Sequence, residues 1–320
     1  MNRVNVGLRF GIGCAFIVIL SGCGPWETAG GSENVRDDDL KGQKETTGSH
    51  MPSSEASTVF VAATGENSAS ILLPESCSSA MGSGGNFTEG PYVLKGKCNG
   101  GGLSPRIIFD PKESHFLSFT IDPKQSVAGI RDRAELAFVR RYFPFYEQLF
   151  IGFRLMIPDS VDATEESFYA LQLWQCAGLP PIAGVRVQRG TSHSINFMTR
   201  GQKSGRSRAK FGLEPGQWHE FVLYMIPGPA EDALFHVFAD GELLVQSRVS
   251  YGFGAANACG EKSNEHQYRV KFGIYKAGEP GKRFVINYDD FTIANGYQLV
   301  AAPLGWNPDR MPSDESEAVN

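Results

Sequence analysis

From residue 115 to residue 293 the chain reads as a series of short runs in which apolar and polar residues alternate, each closed by a turn signal. A period of two places alternate side chains on opposite faces of a strand; a helix would repeat every three to four residues. The runs are His115–Ile121, Arg133–Val139, Leu149–Ile157, Phe168–Cys176, Gly184–Arg189, His193–Met198, His219–Met225, Ala233–Ala239, Glu242–Ser247, Arg269–Tyr275 and Arg283–Ile293. Between them stand Pro144, Pro158-Asp159, Pro180-Pro181, Pro215-Gly216, Asp240-Gly241 and Glu279-Pro280-Gly281, residue pairs that favour chain reversal. FHVFADGELLV is the clearest hairpin, with Asp-Gly at its tip. One short helix is expected over Asp159 to Ser167. Abundant Gly (37), Phe (22) and Tyr (10) agree with many turns and strands. Short strands with short connections and no alternation of strand and helix predict an all-β chain, a β-sandwich or β-jelly roll.

The N-terminus reads as an address. Arg3 and Arg9 precede the apolar run Phe10 to Leu20, which is too short for a comfortable membrane span. Leu20-Ser21-Gly22-Cys23 follows and resembles a bacterial lipobox, whose Cys is acylated and becomes the first mature residue. An ordinary cleaved signal peptide with a stray Cys is the plainer alternative. The expected organisation is a lipoprotein signal peptide over residues 1–22, a lipidated disordered tether over 23–80, a β domain over 81–299 and a flexible tail over 300–320. The tether is rich in Ser, Thr, Gly, Glu and Asp and poor in apolar residues. Gly24 follows the Cys, with no Asp there; resemblance to enterobacterial lipoproteins then implies the outer membrane, facing the periplasm or the cell surface. Acyl chains hold to a bilayer by about 0.8 kcal/mol per buried methylene.

Six cysteines are present. With Cys14 in the signal and Cys23 on lipid, Cys77, Cys98, Cys176 and Cys259 remain, an even number suited to an oxidising compartment. Three pairings are possible; Cys77–Cys98 with Cys176–Cys259 is favoured because the first would staple a local Gly-rich loop. No CxxC or His-rich cluster points to zinc. A formal charge of −5 argues against a nucleic-acid partner.

Three runs share a two-faced character. In QYRVKFGIYK, Tyr268, Val270, Phe272 and Ile274 face one way and Arg269, Lys271, Gly273 and Tyr275 the other. In RDRAELAF, Arg131, Arg133 and Glu135 oppose Ala134, Leu136 and Phe138. In FYALQLWQC, Ala170, Gln172 and Trp174 oppose Tyr169, Leu171 and Leu173. If these strands are neighbours, one sheet face presents Arg133, Glu135, Gln172, Trp174, Arg269, Lys271 and Tyr275 together. Such a face suits an acidic carbohydrate: Trp offers a flat stacking surface, Arg and Lys attract carboxylates, and Gly273 leaves room for close approach. A solvated outer face of an amphipathic sheet is the plain alternative.

The order R-x-E, Q-x-[aromatic], K-x-G-x-Y resembles the jelly-roll polysaccharide lyases, a group with glucuronan, alginate and heparin lyases. The stretches that carry the likeness are Arg133-Ala134-Glu135-Leu136, Gln172-Leu173-Trp174, Gly216-Gln217-Trp218-His219, Lys271-Phe272-Gly273-Ile274-Tyr275 and Tyr288-Asp289-Asp290. They span about Phe116 to Ile293. The resemblance implies a concanavalin-like jelly-roll sandwich with a concave substrate groove, and β-elimination at a uronic acid with no cofactor. It implies that Arg133 and Gln172 bind the substrate carboxylate, that Tyr275 acts as acid or acid and base, and that Lys271 supports it. Trp174, Glu135, Arg269 and His115 are then candidate substrate-binding residues. A free phenol is a poor base at neutral pH, and neighbouring cations favour its ionised form.

Two departures stand out. Trp174 occupies the place of the histidine in the alginate-lyase Q-x-H pattern, and Arg269 occupies that of the first Tyr in Y-F-K-A-G-x-Y. Among other histidines, His115 opens a strand and could reach a groove edge, while His193 alternates with Ile195 and Phe197 and reads as packed. Three function classes follow: a lipid-tethered lyase acting on an acidic polysaccharide, a non-catalytic carbohydrate-binding lipoprotein of the same fold, and a glycoside hydrolase. The last needs two facing carboxylates, and Glu135 lacks an obvious partner. The protein is expected to be monomeric. Arg200 to Lys210, RGQKSGRSRAK, reads as a basic loop, either a flap over a polyanion or plainly solvated. Tyr288-Asp289-Asp290 is a candidate for structural calcium, with a turn as the alternative; Trp218 reads as the start of a core strand.

Overall fold

The computed structural model describes residues 59–63, 86–89, 92–99, 102–103, 106–110, 114–125, 132–138, 142–164, 166–175, 179–201, 204–254, 266–275 and 282–311. For 59–99, and for 107, 109, 110, 114, 115, 125 and 138, it describes the backbone alone. The expected signal peptide, Cys23, Cys77, Cys176, Cys259, the side chains of Cys98 and His115, and the last nine residues lie outside the described residues.

In chain order the strands are β1 (Val59–Ala63), β2 (Asn86–Glu89), β3 (Tyr92–Asn99), β4 (Arg106–Asp110), β5 (Ser114–Ile121), β6 (Arg133–Phe138), β7 (Phe143–Pro144), β8 (Leu149–Met156) and β9 (Phe168–Trp174). They continue with β10 (Ala183–Val187), β11 (Ser194–Arg200), β12 (Gly205–Gly212), β13 (His219–Ile226), β14 (Leu234–Ala239), β15 (Glu242–Arg248), β16 (Gln267–Tyr275) and β17 (Phe284–Ala294). Every run expected as a strand is one, with ends shifted by one or two residues. The described strands form two antiparallel sheets. One has eight strands in the order β15-β14-β13-β8-β17-β5-β4, with β1 on β17; the other has nine, in the order β12-β11-β10-β9-β16-β6-β3-β2, with β7 on β16. The architecture is an all-β jelly-roll sandwich.

Alternation explains the layers. Phe153, Leu155, Phe221, Leu223, Phe235, Ile286 and Tyr288 from the first sheet meet Leu136, Leu171, Leu173, Val185, Phe197, Val270 and Phe272 from the second in one core. Phe272 stacks on Phe291 across the layers, with ring centroids 3.8 Å apart. Each fully buried side chain of this size contributes about 1.5–3 kcal/mol. Asp240 (φ 49°) and Gly241 (φ 84°) turn the β14–β15 hairpin, as the Asp-Gly signal requires. The Gln217-Trp218-His219 stretch is structural. His219 Nε2 accepts from the Glu214 amide at 3.1 Å, which leaves Nδ1 to donate to Asp240 at 2.9 Å. Trp218 meets Phe116 edge-on at 5.6 Å.

Four local expectations are revised. Asp159–Ser167 contains no helix among its described residues. The Thr164 hydroxyl donates to the Glu166 carbonyl at 2.7 Å and accepts from its amide at 3.2 Å, a local turn that competes with helix formation. Most of Arg200–Lys210 is strand, not loop. β12 pairs with β11 as the edge of its sheet, so its Gly, Ser and Arg residues reflect exposure rather than lack of order. Within the stretch read as a tether, β1 pairs with β17, Val59 opposite Ala294. Within the stretch read as domain end and tail, Tyr297–Ala301 form a short helix, α1, and Val300, Leu304 and Trp306 pack with Phe150, Val222 and Phe238 on the outer face of the first sheet.

Candidate active site

Strands β9, β16 and β6, the three two-faced runs, are consecutive in the nine-stranded sheet. The register sets Arg269 opposite Trp174 and Lys271 opposite Gln172 on one side of β16. On the other side it sets Gly273 opposite Glu135 and Tyr275 opposite Arg133. All seven residues expected to share a face do so, because antiparallel neighbours in register point the same way. Tyr268, Val270, Phe272 and Ile274 lie in the core.

The face has a covered floor and partly exposed walls. Glu135, Gln172 and Lys271 are only 1%, 3% and 5% exposed, while Arg133, Trp174, Arg269 and Tyr275 are half-buried. Gln172 Nε2 donates to Glu135 Oε2 at 2.9 Å, and Arg133 Nε stands 3.5 Å from Glu135 Oε1. The Arg133 guanidinium lies over the Tyr275 ring at 4.7 Å. Lys271 Nζ lies 4.1 Å from the Trp174 ring centroid. Arg269 sits between two aromatics, 5.0 Å from Trp174 and 4.5 Å from Tyr142. Each such contact is worth about 0.5–2 kcal/mol, more where water is excluded. One connected cluster therefore runs from Tyr275 through Arg133, Glu135 and Gln172 to Lys271, Trp174 and Arg269.

Glu135 is the correction within this set. Expected to touch substrate, it lies beneath Arg133 and Gln172, closed to solvent. A buried carboxylate needs partners: the Gln172 amide donates to one oxygen and the Arg133 guanidinium stands beside the other as an ion pair, so Glu135 ties the two side chains together from below. His115 lies in β5, in the opposite sheet. His193 precedes β11, and its Nδ1 is shielded with no hydrogen-bond partner among the described residues, in keeping with the packed reading.

Gly273 is where close approach is required. Its φ is 119°, and an added Cβ would fall 2.4 Å from the Ala134 carbonyl oxygen and 2.7 Å from a Phe119 ring carbon. Beside it the register between β16 and β9 shifts: Phe272 faces Leu171, but Tyr275 faces Tyr169. β9 shows the same irregularity toward β10, with Val185 opposite Leu171 and Arg186 opposite Tyr169. Ala170 is the extra residue and turns into the core, where its carbonyl accepts from the Tyr288 hydroxyl at 2.8 Å. Strict alternation placed Ala170 outward and Tyr169 inward; the bulge exchanges them. Tyr169 therefore joins the face, with Arg186 5.8 Å above its ring. Tyr142, Tyr169 and Arg186 were missed. A one-residue bulge leaves no mark in residue type, and Tyr142 sits between runs with no periodicity.

Strands β6, β9, β10 and β16 carry Arg133, Arg186, Arg269 and Lys271 against the single carboxylate of Glu135. The register also sets Lys97 opposite Glu135 and Lys95 opposite Ala137 on the far side of β6. The face is thus a cationic, aromatic surface that attracts anions through field and contact alike. Among the described residues no group of three or more His, Cys, Asp or Glu could hold a metal. Of the calcium candidates, Asp290 takes a positive φ of 49° and ion-pairs with Arg154 at 3.4 Å, and the Asp289 carboxylate accepts from the Asp290 amide at 2.9 Å. These contacts give both carboxylates a role at the bulge of β17.

No protein-family model matches the chain, and no curated protein matches its sequence. Among solved structures, an endo-β-1,4-glucuronan lyase from the fungus Trichoderma reesei is similar at a TM-score of 0.48 and 15% identity, over 72% of this chain and 96% of that chain. An alginate lyase of polysaccharide lyase family 7 is similar at 0.41 and 11%, over 58% and 82%. An alginate lyase from Pseudomonas aeruginosa is similar at 0.40 and 11%, over 58% and 84%. These likenesses assign no residue a role.

Proposed function

We propose that the outer face of the nine-stranded sheet binds an acidic polysaccharide and cleaves it by β-elimination beside a uronic acid. The observation that carries this reading is the convergence of Arg133, Gln172, Lys271 and Tyr275 on three adjacent strands. The hydrogen on C5 of a uronate is hard to remove, because negative charge then builds beside an ionised carboxylate. Donors aimed at that carboxylate lower the barrier. Arg133 supplies a guanidinium fork, Lys271 a second charge and Gln172 the remaining N–H of an amide whose orientation Glu135 holds. Gln172 and Lys271 are nearly covered, so substrate engages them as Arg133 and Trp174 shift aside.

Tyr275 stands at the exposed end of the cluster, against Arg133, and serves as the proton carrier. It takes the C5 proton; the C5–H electron pair forms the C4–C5 double bond; the C4–O4 bond breaks; and the departing oxygen receives the proton. Atoms and charge balance without an outside reagent. Trp174 and Arg269 present stacking and charge to the neighbouring sugar.

Lipid attachment at Cys23, to a bacterial outer membrane, completes the proposal. It rests on the Leu20-Ser21-Gly22-Cys23 pattern, with residues 23–80 acting mainly as the spacer to the β domain.

A second reading, glycan binding without cleavage, has one observation in its favour: strands β6, β9, β10 and β16 carry no histidine. The two separate in one assay. Full-length protein is incubated with polyglucuronate, alginate and other polyuronates, and absorbance near the ultraviolet edge reports unsaturated uronate ends. Product that disappears in Tyr275→Phe while binding persists supports the lyase. Product that survives Tyr275→Phe refutes the assigned chemistry, and binding without product across all glycans favours the second reading.

A further inference from the structure

Away from that face, at the edge of the sandwich, the β11–β12 hairpin meets the end of β15 and the segments around Pro229 and Ser250. They enclose a cavity of about 470 Å³ whose lining includes Thr199, Ser204, Arg206, Arg208, Pro229 and Ser250. Its polar character comes from two guanidinium groups and several hydroxyl and backbone groups, with no carboxylate among the described lining residues. Arg208 is held in place: its Nε donates to the Thr199 hydroxyl at 2.7 Å, which leaves its two terminal nitrogens for another partner. Arg206 is exposed. Among the described residues neither arginine has an ion-pair partner. Burial first, and then the like charge of Arg206, makes the Arg208 cation easier to discharge than usual. Arg200, opposite Gly205 at the same turn, packs over that glycine and adds a third positive charge to the local field.

We propose that this edge cavity is a second binding site, separate from the catalytic face, that takes one carboxylate-bearing sugar unit of an acidic glycan. Two forked guanidiniums match a carboxylate by paired hydrogen bonds. The Ser204 and Ser250 hydroxyls and the backbone around Gly201 and Gly252 suit sugar hydroxyls. The choice of a uronate rests on the polyuronate reading of the main face. The cationic pocket itself does not. Two sites on one polymer raise its effective concentration at the catalytic face without a new contact there.

Free glucuronate and inorganic sulfate serve as probes, followed through the amide NMR signals of Gly201 and Gly252 in the intact chain. Glucuronate is expected to shift both signals saturably, in wild type and equally in Tyr275→Phe. Arg206→Gln, a change at an exposed side chain, is expected to weaken this by about tenfold, the worth of one charge-assisted contact. Arg208→Gln should weaken it further. Unchanged titration in Arg206→Gln, or no shift with glucuronate, overturns the site. Shifts with sulfate equal to those with glucuronate mean an adventitious ion only and also overturn it. The absence of unsaturated product from polyuronates would defeat the lyase reading alone, because the cavity signals do not depend on turnover.

Discussion

Removing Glu135 tests whether the site is organised from below. Its carboxylate is 1% exposed, accepts from Gln172 at 2.9 Å and lies 3.5 Å from Arg133 Nε. Glu135→Ala leaves the Gln172 amide without this acceptor and the Arg133 guanidinium without the carboxylate beside it. Breaking a buried pair costs about 3–5 kcal/mol when the abandoned charge stays dry. Here the Arg133 side chain is 20% exposed, so water recovers part of the loss, and the hydrogen bond to a charged acceptor contributes about 1.5–3 kcal/mol. The expected destabilisation is about 2–3 kcal/mol, or roughly 5–10 °C in Tm for a domain of this size. Glu135→Gln keeps the volume and an acceptor and should cost about 1 kcal/mol. Urea unfolding followed by circular dichroism measures both. The kinetic signature is more telling. Loss of a negative charge by itself tightens polyuronate binding, whereas loss of orientation slows the chemistry, so kcat should fall while KM holds or drops. If Glu135→Ala melts with wild type, or raises KM at unchanged kcat, the orienting role is wrong.

Trp174→Ala removes the ring beside Lys271 and one of the two beside Arg269 and should weaken oligouronate affinity by about tenfold, measured by calorimetry in the Tyr275→Phe background. Gly273→Ala forces a Cβ to within 2.4 Å of the Ala134 carbonyl at a φ of 119°. It should cost about 3 kcal/mol or more in urea unfolding, and a loss below about 0.5 kcal/mol would show that the bulge relaxes freely. His236 lies against Tyr224, and burial, with the charge of Arg248, pushes its imidazole below the ordinary range. The unfolded chain then binds a proton that the folded chain resists, so this contribution is full above about pH 6.5 and fades as pH falls below it. His236→Gln should therefore lose less stability than wild type between about pH 7.5 and about pH 5.5; equal losses would show that His236 titrates normally.

Much of this was readable in the residues. Period-two alternation marked eleven runs that are strands, and QYRVKFGIYK, RDRAELAF and FYALQLWQC each declared an apolar and a polar side. Apolar patterning reports burial directly, because a strand with one face in a core has few alternatives. Strand β12 escaped notice for the converse reason: it is an edge strand rich in Gly and Arg whose residues are all exposed or half-buried, so it carries little apolar alternation.

What the sequence determined by itself is local: which residues are strand, and which face of each strand is polar. The tertiary structure decided the rest. Only sheet order brings β9, β16 and β6 side by side, since strand pairing over long separations depends on the packing of the whole sandwich. Only the bulges at Gly273 and Ala170 turn Tyr169 outward and Ala170 inward. Only three-dimensional packing buries Glu135 beneath Arg133 and Gln172, because burial depends on neighbours more than thirty positions away in the chain, and alternation knows a residue's side but not its depth.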